Sequence, residues 1–290
     1  MHARLVAATT TAFVGAATLL TPTCDARAGG VREQPVVIAH RGASAYAPEN
    51  TLPAIDKAAR LGFSWVENDV QRTKDGELVV IHDDSLKRTT NVEQVFPGRA
   101  PWKVKDFTAA EIARLDAGSW FGSAYAGTRV PTLKQYVRCV EDNHENLFLE
   151  LKNPELYPGI ERQTLDLLSN EGWLDQPHLG RLIVHSFSAD SLRIVHDLKP
   201  AVTTGFLGTP KMGDLQKYAG FTDLVDSSHS TISKNYVAAA HAFVGPHGKR
   251  LRVFTWTVDD AATARTVAGY GVDGVITDKP DVVRAALNKP

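Results

Sequence analysis

Short apolar runs, most of them followed by a segment with helical periodicity, recur along this chain and constrain its fold more than any other feature of the sequence. Apolar runs of this length, bounded by polar residues, are typical of buried strands. Strands that alternate with helices form parallel sheets, because a parallel return needs a long crossover connection. The candidate strands are 36–40, 65–69, 78–82, 147–151, 182–185, 204–207, 224–226, 253–256 and 274–277, and the helical patterns include 51–61, 133–143, 159–171, 189–198 and 261–268.

One junction between these runs is too short for a helical crossover. Only eight residues separate Asp69 from Leu78, and they are centred on Lys74-Asp75-Gly76. A parallel crossover needs about a dozen residues or more, whereas Asp-Gly is a hairpin signal. We therefore predict that 78–82 is an antiparallel return strand. A turn centred between Asp75 and Gly76 would place His82 opposite Asp69.

Without the return strand, eight strand–helix units remain, which is the number in a TIM barrel. We predict an α/β fold, a (β/α)8 TIM barrel with an extra β-hairpin strand over residues 29–290, and an open doubly wound sheet is the alternative. The segment 84–130 shows no strand run and is too long for a plain loop, so we predict a small insertion over the catalytic face. Within it, Thr108 and Glu111 have the spacing of a capping box, which predicts a short helix.

The first 28 residues differ from the rest of the chain and are predicted to be a secretory signal peptide. His2 and Arg4 precede an apolar run at 5–20, and the small-x-small pattern Ala26-Arg27-Ala28 is typical of a cleavage site. A run of this length is short for a bilayer span, which disfavours a membrane anchor. Cys24 lacks the small apolar residues that usually precede a lipid-attachment site. We expect a secreted protein that is cleaved near Ala28.

The charge composition argues against one broad class of partner. Lys and Arg number 32 and Asp and Glu number 33, so the formal net charge is −1. Proteins that bind nucleic acid usually present a surplus of basic residues to the phosphate backbone. We therefore expect a small-molecule substrate, with neither nucleic acid nor a stably inserted membrane as partner, and the sequence leaves the oligomeric state open.

Histidines and carboxylates lie at the ends of several predicted strands. Glu67 and Asp69 are two positions apart on one strand, so their side chains leave the same face. Two converging carboxylates repel each other unless a cation joins them, and Mg²⁺ and Ca²⁺ prefer such oxygen ligands. His40 precedes this pair and His82 follows it in the sequence. The combination indicates acid–base chemistry on a phosphate ester.

These residues belong to a longer series of motifs that occur in a fixed order. The series is His40-Arg41-Gly42, Pro48-Glu49-Asn50-Thr51, Glu67-Asn68-Asp69-Val70, Thr73-Lys74-Asp75-Gly76, Val80-Ile81-His82-Asp83, Arg88-Thr89-Thr90, Glu150-Leu151-Lys152, Phe254-Thr255-Trp256-Thr257-Val258 and Asp273-Gly274-Val275-Ile276-Thr277-Asp278. In order and spacing it resembles the glycerophosphodiester phosphodiesterase family, in its secreted bacterial form. The resemblance extends from Val36 to the C-terminus. It implies a TIM barrel that hydrolyses glycerophosphodiesters to glycerol 3-phosphate and an alcohol.

The resemblance also implies roles for particular side chains. It implies that Glu67, Asp69 and Glu150 bind one divalent cation, Ca²⁺ or Mg²⁺, that His40 and His82 form the general acid/base pair in an order left open, and that Arg41 and Lys152 contact the phosphate. The position of Glu150 supports the metal site independently, because this carboxylate ends an apolar strand and would be costly to bury without a partner.

Three other residues near strand ends have less definite roles. Trp256 is assigned to the wall of the glycerol pocket, with packing in the core as the alternative. His185 is interpreted as a buried structural residue, although the family's Ser-Phe strand end lies at the pocket. Gly42 is interpreted as leaving room for the phosphate to approach the backbone.

Two rival functions and one mechanistic choice stay open at this point. The nearest rival is a sphingomyelinase D- or phospholipase D-like lipid phosphodiesterase, whose members share the barrel and the two-histidine metal site but lack the combined motifs at 40–42 and 48–51. The other rival is a catalytically inactive secreted binding barrel. The nucleophile is either water or the substrate's own glycerol 2-hydroxyl, and the family suggests the hydroxyl. We expect broad acceptance of head groups, with the segment 84–130 limiting their size.

Overall fold

The computed structural model describes residues 1–2 and 34–288 of the chain. The apolar run and the cleavage pattern of the predicted signal peptide, together with Cys24, lie outside the described residues. Within the described part, no helix is both long enough and apolar enough to cross a membrane. Secretion therefore stays a prediction.

A single sheet contains the strands of the described residues, and eight of them close into a parallel barrel. The strands are β1 (Val36–Ala39), β2 (Trp65–Arg72), β3 (Leu78–Val80), β4 (Asn146–Leu151), β5 (Leu182–Ser186), β6 (Thr203–Leu207), β7 (Leu224–Ser228), β8 (Arg252–Trp256) and β9 (Gly274–Thr277). The barrel closes because β1 pairs in parallel with both β9 and β2. The remaining strand, β3, lies antiparallel on β2. The predicted TIM barrel with an extra hairpin strand is confirmed, and the open sheet is wrong.

Helices follow most of the barrel strands in the described chain. They are α1 (Leu52–Arg60), α2 (Val92–Val95), α3 (Ala109–Ile112), α4 (Leu133–Asp142), α5 (Ile160–Asn170), α6 (Ala189–Leu198), α7 (Leu215–Ala219), α8 (Lys234–His241), α9 (Ala261–Tyr270) and α10 (Pro280–Leu287). The predicted helix at 189–198 is confirmed at both ends, and α1, α4, α5 and α9 agree with the predictions to within two residues. The predictions do not include α8, in which only Tyr236, Val237 and Ala240 are buried, because its apolar stripe is narrow.

The interior of the barrel is filled by one layer of large apolar side chains. Gly274 makes room for this layer, since a Cβ at that position would lie 2.8 Å from the ring of Phe254. Successive residues of a strand alternate between faces, so the residue two positions beyond each member of the layer also faces inward. The layer consists of Ile38, Phe148, Ile183, Leu224, Phe254 and Ile276. After five of the six residues of this layer the next inward position is polar, and the residues there are His40, Glu150, His185, Asp226 and Asp278.

The hairpin between β2 and β3 has a register one residue away from the predicted one. Val70 pairs with Val80, and the Ile81 N–H donates to the Asp69 carbonyl at 2.9 Å. The expectation that His82 lies opposite Asp69 is therefore wrong. The turn holds three residues and is centred on Asp75, with Gly76 in the left-handed region at φ +93°, whereas the prediction assumed two central residues.

A side chain rather than the strand register brings His82 towards the centre of the barrel. The strand β3 ends at Val80, two residues before the histidine. The Gln71 amide then donates to the carbonyls of Ile81, His82 and Asp83 at 2.9, 3.0 and 2.7 Å. The segment that carries His82 is thus shaped by Gln71.

The segment 84–130 contains short helices packed on a small apolar core of its own. Thr108 caps α3 in a capping box, because its hydroxyl accepts from the Glu111 N–H at 3.3 Å and its own N–H donates to the Glu111 carboxylate at 2.9 Å. The predicted capping box is confirmed. The Tyr125 hydroxyl donates to the Tyr46 carbonyl at 2.8 Å, which joins this segment to the loop after β1. The core includes Leu86, Val104, Phe107, Ile112 and Leu115.

Candidate active site

A cavity of about 160 Å³ lies at the C-terminal ends of the barrel strands, above the apolar layer. Seven of the eight residues assigned a site role from the sequence line it, namely His40, Arg41, Glu67, His82, Glu150, Lys152 and Trp256. The exception is Asp69, which is fully buried beside the cavity. The cavity is also lined by His185, Phe187 and Asp226, to which the sequence reasoning assigned no site role.

Buried carboxylates converge at the base of this cavity. Atoms of Glu67, Glu150 and His185 that could serve as metal ligands lie within 4.8 Å of one another. Asp69 lies beside these three residues, and the Asn50 amide donates to its Oδ2 at 2.8 Å. The Lys152 Nζ lies 3.6 Å from Asp69 Oδ1 and 3.0 Å from Glu150 Oε1, so it bridges the two carboxylates.

The charges of this cluster are imbalanced in a way that favours an added cation. Burial raises the pKa of Glu150 to about 8, and the charge of Asp69 adds to the effect. Burial alone would raise the pKa of Asp69 as well, but the charges of Arg41 and Lys152 outweigh it and hold that pKa below its usual range. The Asp69 Oδ1 accepts no hydrogen bond within the described residues. The same holds for Glu150 Oε1, and a set of buried carboxylates with unsatisfied oxygens fits a hard divalent cation.

The loop after β1 positions His40 and Arg41. The His40 Nδ1 lies 2.6 Å from Asp278 Oδ1, and its Nε2 lies 3.9 Å from Glu67 Oε2. Burial lowers the pKa of His40, but the hydrogen bond to Asp278 and the charge of Glu67 outweigh burial and raise it overall. The Arg41 N–H donates to the same Glu67 Oε2 at 2.9 Å. The loop therefore places both the imidazole and a backbone donor against one carboxylate.

Gly42 is needed in this loop for a reason the sequence did not reveal. Its φ is +79°, and a Cβ on it would lie 2.6 Å from the Cβ of Ala54 in α1. The glycine thus lets the loop turn closely against α1. The interpretation that Gly42 also leaves room for the phosphate stays a prediction.

A chain of ion pairs connects His82 to Arg41. The His82 Nδ1 lies 2.7 Å from Asp83 Oδ1, and the Arg88 guanidinium donates to both oxygens of Asp83 at 2.8 and 2.9 Å. The same guanidinium donates to both oxygens of Glu49 at 2.7 and 2.8 Å. Glu49 Oε1 in turn accepts from Arg41 at 2.9 Å. Arg88 therefore holds the carboxylate partners of two cavity residues at once.

His185 faces the cavity and is not the satisfied core residue that the sequence indicated. Its ring packs on Phe148 with centroids 4.0 Å apart. Its Nδ1 lies 3.2 Å from Asp226 Oδ2 and its Nε2 lies 3.8 Å from Glu67 Oε1. Burial lowers the pKa of His185, but contacts with Asp226 and Glu67 outweigh it and raise the pKa to about 9. The sequence contained one signal for this position: Ile183 and His185 are two residues apart on a strand, so their side chains face the same side.

Two aromatic side chains form one wall of the cavity. The rings of Phe187 and Trp256 meet edge to face with centroids 6.0 Å apart. The Trp256 indole N–H donates to the Asp226 carbonyl at 3.1 Å, which fixes the ring at the end of β8. Phe187 is 53% exposed, so it lies at the rim of the cavity. The cavity therefore combines a charged base with an apolar wall.

Comparisons with known proteins agree on one family. A family model described as the glycerophosphoryl diester phosphodiesterase family matches residues 40–282. A glycerophosphodiester phosphodiesterase of Bacillus subtilis (strain 168) is 34% identical over 282 residues, which cover 91% of this chain and 91% of that protein. One from Caldanaerobacter subterraneus is 36% identical over 264 residues, which cover 88% of this chain and 98% of that protein. The solved structure of an Oleispira antarctica phosphodiesterase with the product sn-glycerol-3-phosphate matches at 30% identity and a TM-score of 0.76, covering 88% of this chain and 98% of that one.

Proposed function

Because this chain belongs to the glycerophosphodiester phosphodiesterase family, we propose that it cleaves glycerophosphodiesters to glycerol 3-phosphate and an alcohol by histidine acid–base catalysis at a divalent metal site. The enzyme class follows from the family, and the mechanism is our proposal. The observation that carries it is the arrangement of His40 and His82. Each is bound to an aspartate through Nδ1, and both line one cavity with buried carboxylates.

The aspartates determine which imidazole nitrogen is available for proton transfer. When a neutral histidine donates through Nδ1–H to a carboxylate, its Nε2 keeps a lone pair and acts as a base. Asp278 orients His40 in this way and Asp83 orients His82. One imidazole takes the proton of the nucleophile at its Nε2, and the other, which starts protonated at both nitrogens, gives its Nε2 proton to the leaving alkoxide oxygen. We propose no order for the two roles.

We propose that Glu67, Asp69 and Glu150 hold the divalent cation. When bound, Ca²⁺ or Mg²⁺ supplies positive charge to the phosphoryl oxygens. Ca²⁺ is our first expectation, because an exported protein meets abundant calcium. His185 helps to position these carboxylates, since its Nε2 lies 3.8 Å from Glu67 Oε1 and its Nδ1 lies beside Asp226. Metal-binding carboxylates are generally held in place by contacts of this kind.

Arg41 and Lys152 are the proposed phosphate contacts. Both are partly buried and line the cavity. Carboxylate oxygens lie 2.9 and 3.4 Å from the Arg41 guanidinium and 3.0 and 3.6 Å from the Lys152 ammonium. The Arg41 Nε forms no hydrogen bond within the described chain. Cationic groups placed in advance around a transferring phosphoryl group stabilise the charge that develops there. The two side chains would therefore bind the substrate and the transition state through the same oxygens.

The apolar wall suggests which side of the substrate packs where. We propose that the glycerol group lies against Trp256, whose ring is fixed by its hydrogen bond at the end of β8. The glycerol 2-hydroxyl, if it is the nucleophile, must be free in the substrate. Intact diacyl lipids lack that hydroxyl and are expected to be poor substrates, whereas head groups from choline to inositol should be accepted.

One assay tests the metal and the substrate class together. Purified enzyme is incubated with excess chelator, then with added Ca²⁺ or Mg²⁺, and turnover is measured on glycerophosphocholine, lysophosphatidylcholine and sphingomyelin. We expect chelator to abolish turnover of glycerophosphocholine and one of the ions to restore it. Full activity in chelator would contradict the metal site. Preferential cleavage of sphingomyelin or the lysolipid would favour the lipid phosphodiesterase.

We further propose that the chain is exported and cleaved near Ala28. The basic start, the apolar run at 5–20 and the small-x-small pattern support this. Expression in a bacterial host with a functional secretion pathway, followed by mass spectrometry of the N-terminus, tests it. An intact N-terminus in the cytoplasmic fraction would contradict export.

A further inference from the structure

A second cavity, of about 240 Å³, lies at the N-terminal end of the barrel, on the other side of the apolar layer from the catalytic cavity. Its lining includes the first residues of four barrel strands, Trp65, Leu182, Thr203 and Arg252. Arg252 is two positions before Phe254, so strand alternation turns its side chain towards the barrel interior. The guanidinium carbon lies 5.4 Å from the centroid of the Phe254 ring. Nothing in the proposed mechanism uses this cavity.

The Arg252 guanidinium is unpaired in the described part of the chain. Its side chain forms no hydrogen bond and no ion pair there, although it is partly buried. Burial lowers the pKa of Arg252 and outweighs the nearby charges of Asp223 and Asp273, which raise it, while the charge of Arg250 lowers it further. Burying a charge without a partner is costly, because the protein does not replace the lost hydration. A ligand with negative charge would remove this cost.

The carboxylates near Arg252 are already engaged by other donors. Asp223 Oδ1 accepts from the His247 Nδ1 at 2.7 Å, and its Oδ2 accepts from the Thr204 N–H at 3.0 Å. Asp273 accepts from Arg250 at 2.6 Å, and from a histidine and a backbone N–H at 2.8 and 2.7 Å. Neither carboxylate is within ion-pair distance of Arg252 in the described residues. These acids hold the loop around the cavity and act on the arginine through their charge without a direct contact.

The other unpartnered groups of this cavity are donors as well. The Trp65 indole N–H and the ammonium of the exposed Lys249 form no hydrogen bond to other described residues. Three basic side chains line the cavity, Lys249, Arg250 and Arg252, and Asp223 is the one carboxylate among the lining residues. An indole N–H, an ammonium and a guanidinium all donate and cannot accept. The ligand that satisfies them must carry several acceptor oxygens and negative charge.

We propose that this cavity binds a phosphate group, held by Arg252 and Lys249 with the Trp65 indole N–H as a further donor. A guanidinium matches the paired oxygens of a phosphate, and an ammonium adds a point charge. The ring of Trp65 and the side chain of Ile183 form an apolar side of the cavity. The site therefore takes either free phosphate or a small phosphomonoester whose carbon chain lies on that side.

The Trp65 indole N–H gives a readout that the catalytic cavity does not affect. Inorganic phosphate, glycerol 3-phosphate and, at matched ionic strength, sodium chloride are titrated into the folded enzyme, and the indole signals are followed by NMR, with Trp65→Phe for assignment. We expect the Trp65 signal to shift saturably with phosphate and not with chloride. Tighter binding of glycerol 3-phosphate would identify a phosphomonoester site, and tighter binding of inorganic phosphate would identify a phosphate site.

Substitution of the unpaired arginine separates specific binding from general screening. Arg252→Gln should weaken phosphate binding about tenfold or more, because the phosphate loses a charged hydrogen-bonding partner. Turnover should stay unchanged. Without phosphate, the variant should melt at a temperature no lower than the wild type, because an unpaired buried charge is gone. The control Arg265→Gln removes an exposed arginine on α9 and should change neither property. Lys249→Gln is a second test if Arg252→Gln does not fold.

Two outcomes would overturn the proposal. One is the absence of a saturable shift of the Trp65 signal with any phosphate compound. The other is equal phosphate affinity in the wild type and in a folded Arg252→Gln or Lys249→Gln protein.

Discussion

The cavities at the two ends of the barrel are lined by an excess of charge of opposite sign. At the C-terminal end the carboxylates outnumber the arginine and lysine side chains, whereas at the N-terminal end the arginine and lysine side chains outnumber the carboxylates. The apolar layer around Phe148 and Phe254 separates the two groups. The opposite imbalances suggest a cation at one end and an anion at the other, because a cavity lined by an excess of one charge attracts a ligand of the other sign. The C-terminal group is Glu67, Asp69, Glu150 and Asp226 with Arg41 and Lys152, and the N-terminal group is Lys249, Arg250 and Arg252 with Asp223.

Two glutamates at opposite ends of β4 show why a shifted pKa alone does not identify a functional residue. Burial raises the pKa of both Glu145 and Glu150 to about 8. Glu150 shares Lys152 with Asp69 and lines a cavity, so its environment can be completed by a ligand. Neither carboxylate oxygen of Glu145 has a hydrogen-bond partner in the described residues, and the charge of Asp56 raises its pKa further. The first is a candidate ligand, and the second is a cost to stability.

The largest expected effect is the loss of a catalytic histidine. His40→Ala and His82→Ala should each lower kcat by about 10²- to 10⁴-fold, or about 3–5 kcal/mol in barrier, because each removes one proton-transfer group. Melting temperatures should change little. The measurement is kcat on glycerophosphocholine, with circular dichroism as a check of folding.

A histidine–aspartate pair at the other end of the barrel provides the matched control. The His247 Nδ1 lies 2.7 Å from Asp223 Oδ1, the same distance as between His82 and Asp83. His247→Ala should therefore leave kcat near the wild-type value. A similar loss of kcat in all three variants would mean that the pairs act through stability rather than through chemistry.

The next effect concerns stability and depends on pH. Because the pKa of Glu145 is raised from 4.5 to about 8, the folded protein binds more protons than the unfolded chain between these values. The contribution of Glu145 to the free energy of unfolding therefore falls as the pH rises through this range, and it is least favourable above about 8. Glu145→Gln should therefore stabilise the protein more at pH 9 than at pH 5. The change that it causes in the free energy of unfolding should be about 2–4 kcal/mol more positive at pH 9 than at pH 5.

Denaturant titrations of both proteins at several pH values measure this difference. The control Glu155→Gln changes an exposed glutamate just beyond β4 and should shift the curve equally at every pH. Parallel pH profiles for the wild type and Glu145→Gln would show that Glu145 is ionised in the folded protein at neutral pH.

The smallest of the three effects concerns Arg88, which holds Asp83 and Glu49 without lining the catalytic cavity. Arg88→Gln should lower kcat about tenfold, or about 1.4 kcal/mol, with little change in KM, because His82 and Arg41 lose their common support. Arg88→Lys keeps the charge but not the fork that reaches both carboxylates, so it should restore only part of kcat. Equal values of kcat in the two variants and the wild type would show that the network does not position His82.

The barrel and most of the candidate site could be predicted because their signals are local. The apolar runs predicted β1, β9 and the strands between them, because each buried strand must itself be a run of apolar residues, whatever the rest of the chain does. The spacing of Glu67 and Asp69 likewise places two carboxylates on one face without reference to the rest of the chain. The hairpin was predicted for the same reason, but its register depends on one residue of turn length, which Asp-Gly does not specify.

His185 and Asp226 show the limit of this approach. Each ends a short apolar run, where a polar residue is either a capped strand end or part of a site. These two cases can be told apart only in the closed barrel, where the inward faces of β5 and β7 meet beside Glu67. Arg252 has the same ambiguity at the beginning of β8, where an arginine normally reaches solvent.

The sequence by itself determined the family, the alternation of strands and helices, and the chemical types gathered at the strand ends, because these are properties of short segments. The tertiary structure decided how those groups are paired. His40 meets Asp278 across 238 residues of sequence, and Arg41 meets Asp69 through the closure of the barrel. The protonation and orientation of a buried group depend on which charges and donors surround it in space. Only the closed barrel brings those partners together, and only there does it become clear which charges are left for a ligand.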